Sequence, residues 1–479
     1  MAPREARRAA LGFAVLYSVF ALPRVAGLFT DFWLDEIWAL EIVGRIATPL
    51  DIFTRVHFDT NHWLYSLFLW GIGPRDGWIA YRLPALAAGL ATLPLSVAIA
   101  RAEGARAAGI ALALVGGSFL LIEYASEARG YALAVCFALG AFHALGRRQQ
   151  SHDPTWLLAF NACAVLGLLS HLTFLFPYAG LLAWSLVRAL ERPLRTRAAL
   201  VEIAACHALP LAAFALLYYL DVRHIQHGAG PETGLATMLG NLAALTLGLP
   251  DSLWLRGVGL VACAAIAVAG VFQLRGDPSR NWVFYAVTLL LAPAAVVAAR
   301  AADFPYWTER HFLVCVPFLL LLLAALLARL SRAGTLGAAL AFSLLALYLA
   351  GNTTRVVDFL RLGRGHYREA VEYMLAHDPE RVLSVGSDHD FRNAMLLGYY
   401  ARFVPKDRGL AYVSEREWPA QGPRWLITHS LDPHHLPPPS YVFAGRVEYR
   451  LAKHFPFSGV SGWHWCLYER FDSGSGVTP

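Results

Sequence analysis

Two carboxylates in succession, Asp35 and Glu36, close the stretch Asp31-Phe-Trp-Leu-Asp35-Glu36, just past an apolar run over residues 11–30 that only Arg24 interrupts. A charged side chain facing lipid costs roughly 2.5–3.5 kcal/mol at the centre of a membrane helix and less near its edge. An acid pair retained there, between Trp33 and Trp38, points to a catalytic base held where a lipid-linked substrate presents its head group. The plainer reading is an acid pair at a helix N-terminus, stabilised by the helix dipole.

Further polar groups recur at the ends of other apolar runs. Asp59, Asn61 and His62 follow in the same loop. Glu123 and the run Glu127-Ala-Arg129-Gly-Tyr131 come next, then Ser170-His171-Leu-Thr173, then Tyr306-Trp307-Thr-Glu309-Arg310-His311. All fall on one side of the topology argued below, as a single recess would require. Each has a bland alternative. Glu127 and Arg129 could be an interfacial ion pair, Arg310 a snorkelling anchor, and His171 and His62 hydrogen-bonded residues that only join helices.

The elements that would position these groups follow from composition. The chain has 479 residues, 57% of them hydrophobic and 15% charged, with a mean hydropathy of +0.47. That is too apolar for a soluble globular protein. Runs long enough for a ~30 Å hydrocarbon core lie near 9–28, 83–101, 107–122, 131–147, 155–170, 172–188, 198–220, 254–274, 281–300, 311–330 and 334–351. The segment 62–73 is apolar but short, and reads as a re-entrant or interfacial helix. The sequence thus predicts a polytopic α-helical membrane protein with about 11–13 transmembrane helices.

Basic residues cluster at Arg4–Arg8, Arg101/Arg106, Arg147/Arg148, Arg188–Arg197, Arg275/Arg280 and Arg329/Arg332. They alternate with loops 31–82, 123–130, 221–253 and 301–310. By the positive-inside rule the N-terminus is cytoplasmic, uncleaved and anchored, and the tail is outside. The net charge of +6 is therefore a topological signal and does not indicate nucleic acid. The six cysteines show no ligand spacing and read as small buried hydrophobes. The expected organisation is a membrane domain over 1–352 with an outer first loop over 29–82, then an extracytoplasmic α/β domain over 353–479. In that tail a helix is expected over Arg361–His377, and strands over Arg381–Val385, Leu410–Val413, Trp425–Thr428, Tyr441–Tyr449 and His464–Phe471.

In their order, Asp35-Glu36, Asp59-Thr-Asn-His-Trp-Leu-Tyr65, Glu127-Ala-Arg129-Gly-Tyr131, Ser170-His171 and Arg310-His311-Phe-Leu-Val-Cys-Val-Pro317 match one family pattern. The chain resembles the GT-C membrane glycosyltransferases, in the branch of the protein O-mannosyltransferases and the lipid A aminoarabinose transferase (glycosyltransferase family 39 and relatives). The resemblance spans essentially the whole chain. It implies a GT-C fold in the inner (plasma) membrane and a polyprenyl-phosphate sugar as donor. It also implies inverting or retaining transfer of a hexose or pentose to an extracytoplasmic lipid, glycan or protein hydroxyl, with Asp35 as base and Glu36 in support. Where the family has His-Pro-Pro-Leu-Tyr, this chain has Asn61-His62-Trp63-Leu64-Tyr65, with the histidine offset by one and both prolines absent.

The chemistry of such a transfer fits the residues. A carboxylate must deprotonate or orient the acceptor hydroxyl, and cations must hold the leaving phosphate. Arg129 and Arg310 are suited to phosphate, with Glu127, Tyr131, His171, Asn61 and His62 completing the expected substrate-binding set. A divalent metal ion remains open as a cofactor, since no compact ligand spacing assigns one. The competing reading is a transporter or flippase of a lipid-linked sugar. Inverted repeats and helices broken at mid-membrane, which such proteins tend to show, are not evident.

Overall fold

Residues 3–151, 153–191, 197–226, 234–301, 307–432, 434–443 and 447–471 are described in the computed structural model; Tyr306 of the fourth polar cluster lies outside them. The chain divides into two compact units, Met1–Leu28 with Ile42–Val356, and Phe29–Glu41 with Val357–Pro479. The segment bearing Asp35 and Glu36 thus groups with the tail.

The first unit is helical, because a chain in hydrocarbon must satisfy its backbone groups within the segment. Among the described residues, six helical segments are long and apolar enough to cross a membrane: Ile79–Glu103, Leu172–Glu191, Arg197–His224, Leu253–Leu274, Glu309–Leu330 and Thr335–His377. Shorter apolar helices include Leu11–Gly27, Trp63–Ile72, Ala105–Gly117, Pro154–Ser170 and Leu235–Leu247. In this unit the structure departs from the sequence expectation at 221–253 and at 107–122. Residues 221–253, expected as a loop, contain the helix Leu235–Leu247, whose 13 residues are too few to stand out as a span. The run 107–122 is broken into Ala105–Gly117 and Phe119–Tyr124.

That break explains the charge inside the first apolar run. The guanidinium of Arg24, fully buried, donates to the carbonyls of Phe20 at 2.7 Å, Gly116 at 2.8 Å and Val115 at 3.1 Å. On the far side of the break, Oδ1 of Asn352 accepts from the Phe119 amide at 2.8 Å. Backbone groups freed by a helix break and buried need such partners. Elsewhere small residues let helices close up. At Gly140, on the helix Tyr131–Ser151, a Cβ would meet Sγ of Cys163 on Pro154–Ser170 at 2.8 Å, a contact of the small-residue kind. The helix Pro154–Ser170 begins on Asp153, whose carboxylate accepts from the Thr155 amide at 2.8 Å, with proline at the first helical position.

The second unit is built on a six-stranded sheet. Its strands are β1 (Val382–Ser387), β2 (Gly409–Tyr412), β3 (Trp425–Ser430), β4 (Ser440–Phe443), β5 (Val447–Phe455) and β6 (His464–Arg470), in the order β2-β1-β3-β6-β5-β4. The β2-β1-β3 part is parallel and the remainder antiparallel. The helices Tyr367–His377 and Asp390–Tyr400 belong to this unit. Phe29–Glu41 is tied in by three contacts. The Arg368 amide donates to Asp31 at 2.9 Å, the Tyr400 hydroxyl to the Phe32 carbonyl at 2.8 Å, and Arg364 to the Thr30 hydroxyl at 2.6 Å. Phe32 and Trp33 are buried.

Candidate active site

In the helical unit the expected residues converge. Gly130, which opens the helix Tyr131–Ser151, sits where a Cβ would lie 2.0 Å from the Ser170 carbonyl oxygen, so no other residue allows this approach. The close approach joins the Glu127–Tyr131 corner to the end of Pro154–Ser170, where His171 follows. The Gly130 amide donates to Nδ1 of His62 at 2.8 Å. The Tyr131 ring lies 5.1 Å from His62 and 4.5 Å from His171, and the two histidines are 4.6 Å apart. The ring of His311 is 6.2 Å from His171. Nη1 of Arg129 donates to the Thr60 hydroxyl at 2.5 Å. Glu123, Glu127 and Arg129 are buried, and Arg310 is half-buried.

The three histidines share one tautomer. Nδ1 of His62 accepts from Gly130, that of His171 from the Thr173 amide at 3.1 Å, and that of His311 from the Thr308 amide at 3.0 Å. Each ring therefore carries its proton on Nε2. Burial, followed by the Arg129 guanidinium, His171, the Arg310 guanidinium and His311, holds His62 well below 6.5. His62 is thus a neutral donor at pH 7, and its buried Nε2 has no acceptor among the described residues. Two guanidiniums, neutral imidazole N–H groups and the buried carboxylates of Glu123 and Glu127 make up one polar cluster.

The loop bearing His62 is pinned by Asp221, which the sequence did not single out, and by Asn61, which it did. Asp221, fully buried, accepts from Nε1 of Trp63 at 2.5 Å and pairs with His57 at 2.6 Å. Asn61 gives its amide N–H groups to the carbonyls of Ile52 and Val56 at 2.8 and 2.9 Å and accepts from Ser66 at 2.8 Å. An isolated acid at the end of the apolar run 198–220 was the available signal for Asp221. Thr60, which binds Arg129, had none.

The turn of 3-10 helix Glu309–Cys315 has two faces. Arg310 and His311 belong to the polar cluster, while Phe312 and Cys315 line an apolar groove of about 370 Å³. The groove runs between the helices Leu235–Leu247, Leu253–Leu274, Trp282–Ala301 and Val316–Leu330. Thr308 and His311 cap the turn reciprocally, and Glu309 is held by Asn241 at 2.9 Å.

In the other unit, Asp35 and Glu36 open the helix Leu34–Gly44. Glu36 is fully buried and accepts from the Trp33 amide at 3.3 Å, the backward reach of a capping box. Asp35 is half-exposed. Among the described residues no three His, Cys, Asp or Glu side chains converge as a metal site.

No family model matches the sequence, and no curated protein matches it. Among solved structures the chain is similar to the crystal structure of ArnT from Cupriavidus metallidurans bound to undecaprenyl phosphate, at 14% identity and a TM-score of 0.49, over 98% of this chain and 100% of that one. It is similar to the apo state of the same protein at 15% identity and a TM-score of 0.45, over 88% and 93% of the respective chains.

Proposed function

We propose that this protein is a GT-C glycosyltransferase that moves a hexosyl or pentosyl group from a polyprenyl phosphate to a hydroxyl acceptor outside the inner membrane. The observation that carries the reading is the turn Glu309–Cys315, which presents Arg310 and His311 on one side and lines an apolar groove on the other. That pairing suits a lipid whose chain lies in the groove and whose phosphate meets the arginines. Asp35 takes the proton of the acceptor hydroxyl as its oxygen attacks the anomeric carbon. The bond from that carbon to the phosphate oxygen breaks, and polyprenyl phosphate leaves with the electron pair. Arg129, Arg310 and Nε2–H of His62 hold the charge that develops there. Glu36 orders the helix turn bearing Asp35, and Asn61 orders the loop bearing His62. Glu127, Tyr131 and His171 complete the donor side.

The test uses purified protein in lipid nanodiscs with radiolabelled polyprenyl-phosphate hexose and pentose. The expected result is label appearing on an envelope acceptor fraction, with Arg310→Ala raising the donor KM. Sugar moved across vesicles without transfer would instead make the protein a flippase.

A further inference from the structure

We propose that Trp38, Phe391, Arg392 and His429 form the acceptor subsite, and that the acceptor is a glycan whose neutral sugar ring is held there with a hydroxyl offered to Asp35. The inference rests on the reading of Asp35 as base. Every residue in it belongs to the unit formed by Phe29–Glu41 and Val357–Pro479.

The place is set by topology. Parallel strands β1 and β3 are neighbours, but the chain leaves β1 toward β2 on one side and leaves β3 toward β4 at the opposite edge. Where exits diverge beyond the carboxyl ends of parallel strands, a crevice opens, and ligands of α/β sheets bind there. Asp388, His389 and Arg392 follow β1, and His429 lies near the end of β3.

The chemistry there is ordered. His429 gives Nδ1–H to Asp388 at 2.8 Å, and its Nε2 accepts from Arg392 at 2.8 Å. Asp390 is occupied by the Tyr412 and Ser414 hydroxyls, both at 2.6 Å. Arg392 uses one of its five N–H donors on His429 and lies 5.5 Å over the Trp463 ring. Its charge is offset by Asp388, which leaves no cationic surplus to select a phosphate. Beside it, Trp463 and Trp33 meet edge to face at 6.5 Å. Both are buried, and neither indole N–H has an acceptor among the described residues. Two buried N–H donors in one spot are left for an oxygen acceptor, from water or ligand, to satisfy.

The base lies alongside. Asp35 and Trp38 are one turn apart on the helix Leu34–Gly44 and half-exposed, while Glu36 and Ile37 are buried, so the two share a face. Trp38 meets Phe391 edge to face at 5.5 Å, and Phe391 is 51% exposed. An aromatic pair matches the apolar face of a pyranose, and the neighbouring N–H and carboxylate groups match its hydroxyls.

The test is saturation-transfer NMR on the full chain in nanodiscs, with methyl hexopyranosides and N,N′-diacetylchitobiose as probes. Transfer to sugar ring protons is expected. Phe391→Ala, an exposed site whose truncation spares the core, should weaken binding about five- to tenfold, the scale of an aromatic contact. Arg392→Gln should weaken it as well. Asp35→Asn is read by its transfer rate and not by sugar binding: full transfer by that variant would overturn the base, while the losses of sugar binding in Phe391→Ala and Arg392→Gln decide the subsite. Equal sugar binding by the parent, Phe391→Ala and Arg392→Gln would overturn the subsite. So would saturation transfer to a serine- and threonine-containing peptide in place of the sugars.

Discussion

The Gly130 amide donates to Nδ1 of His62 at 2.8 Å, and this one bond fixes the imidazole as a donor through Nε2. His62→Asn places an oxygen where Nδ1 was and removes the N–H. Transfer should then fall by about 10²-fold, the loss typical of one aimed donor, as initial rates at saturating donor would show. The same ring carries a pH signature. Its pKa in the folded protein is depressed below 6.5, so the unfolded chain binds a proton that the folded one does not. The stability it contributes is complete above 6.5 and declines as pH falls below that value. Thermal unfolding from pH 8 to pH 5 should show a falling midpoint, less steep in His62→Asn. Legibility also varied by residue. Arg129, Tyr131 and His171 were visible as polar types at the ends of apolar runs. Asp221 offered only an isolated acid at the end of an apolar run, and Thr60 offered nothing, because a lone threonine in a loop carries no spacing signal.

At the scale of elements, the Gly130 approach sets how the Glu127–Tyr131 corner meets the end of Pro154–Ser170, and Arg24 holds a helix break. A methyl at position 130 would lie 2.0 Å from the Ser170 carbonyl oxygen, and backbone cannot yield as a flexible side chain can. Gly130→Ala should therefore cost about 1–3 kcal/mol by overpacking, read as a lowered unfolding midpoint in detergent. Arg24 holds the broken helix Ala105–Gly117 by its last carbonyls. Arg24→Leu should be destabilising by about 1–3 kcal/mol for each carbonyl left unsatisfied, with a loss of folded yield on size exclusion. The sequence showed the arginine as an interruption but not its partners, which are some ninety residues away. The helix Asp390–Tyr400 was missed because its opening Asp390-Phe-Arg-Asn reads as a loop. Four strands of the tail were placed from β-branched and aromatic runs, but Tyr441–Tyr449, expected as one strand, divides between the antiparallel strands β4 and β5.

For the whole molecule, the membrane class could be read from hydropathy, and the α/β tail from one helical repeat followed by β-branched and aromatic runs. The membership of Phe29–Glu41 could not. Its contacts with Arg364, Arg368 and Tyr400 span more than three hundred residues, beyond any local pattern. Orientation remains a prediction of the basic loops: reporter fusions at positions 150 and 400 should report opposite faces of the membrane, and the same face for both would contradict the topology.

The central claim is that Asp35 is the base for glycosyl transfer, and Asp35→Asn tests it most directly. The substitution keeps shape and removes the proton acceptor at a half-exposed position, so the fold should survive. Purified in nanodiscs with saturating polyprenyl-phosphate sugar and acceptor, the variant should show kcat reduced by about 10²–10⁴-fold, the range for a lost general base, with donor KM unchanged. Transfer at the parent rate by a folded Asp35→Asn protein would contradict the account.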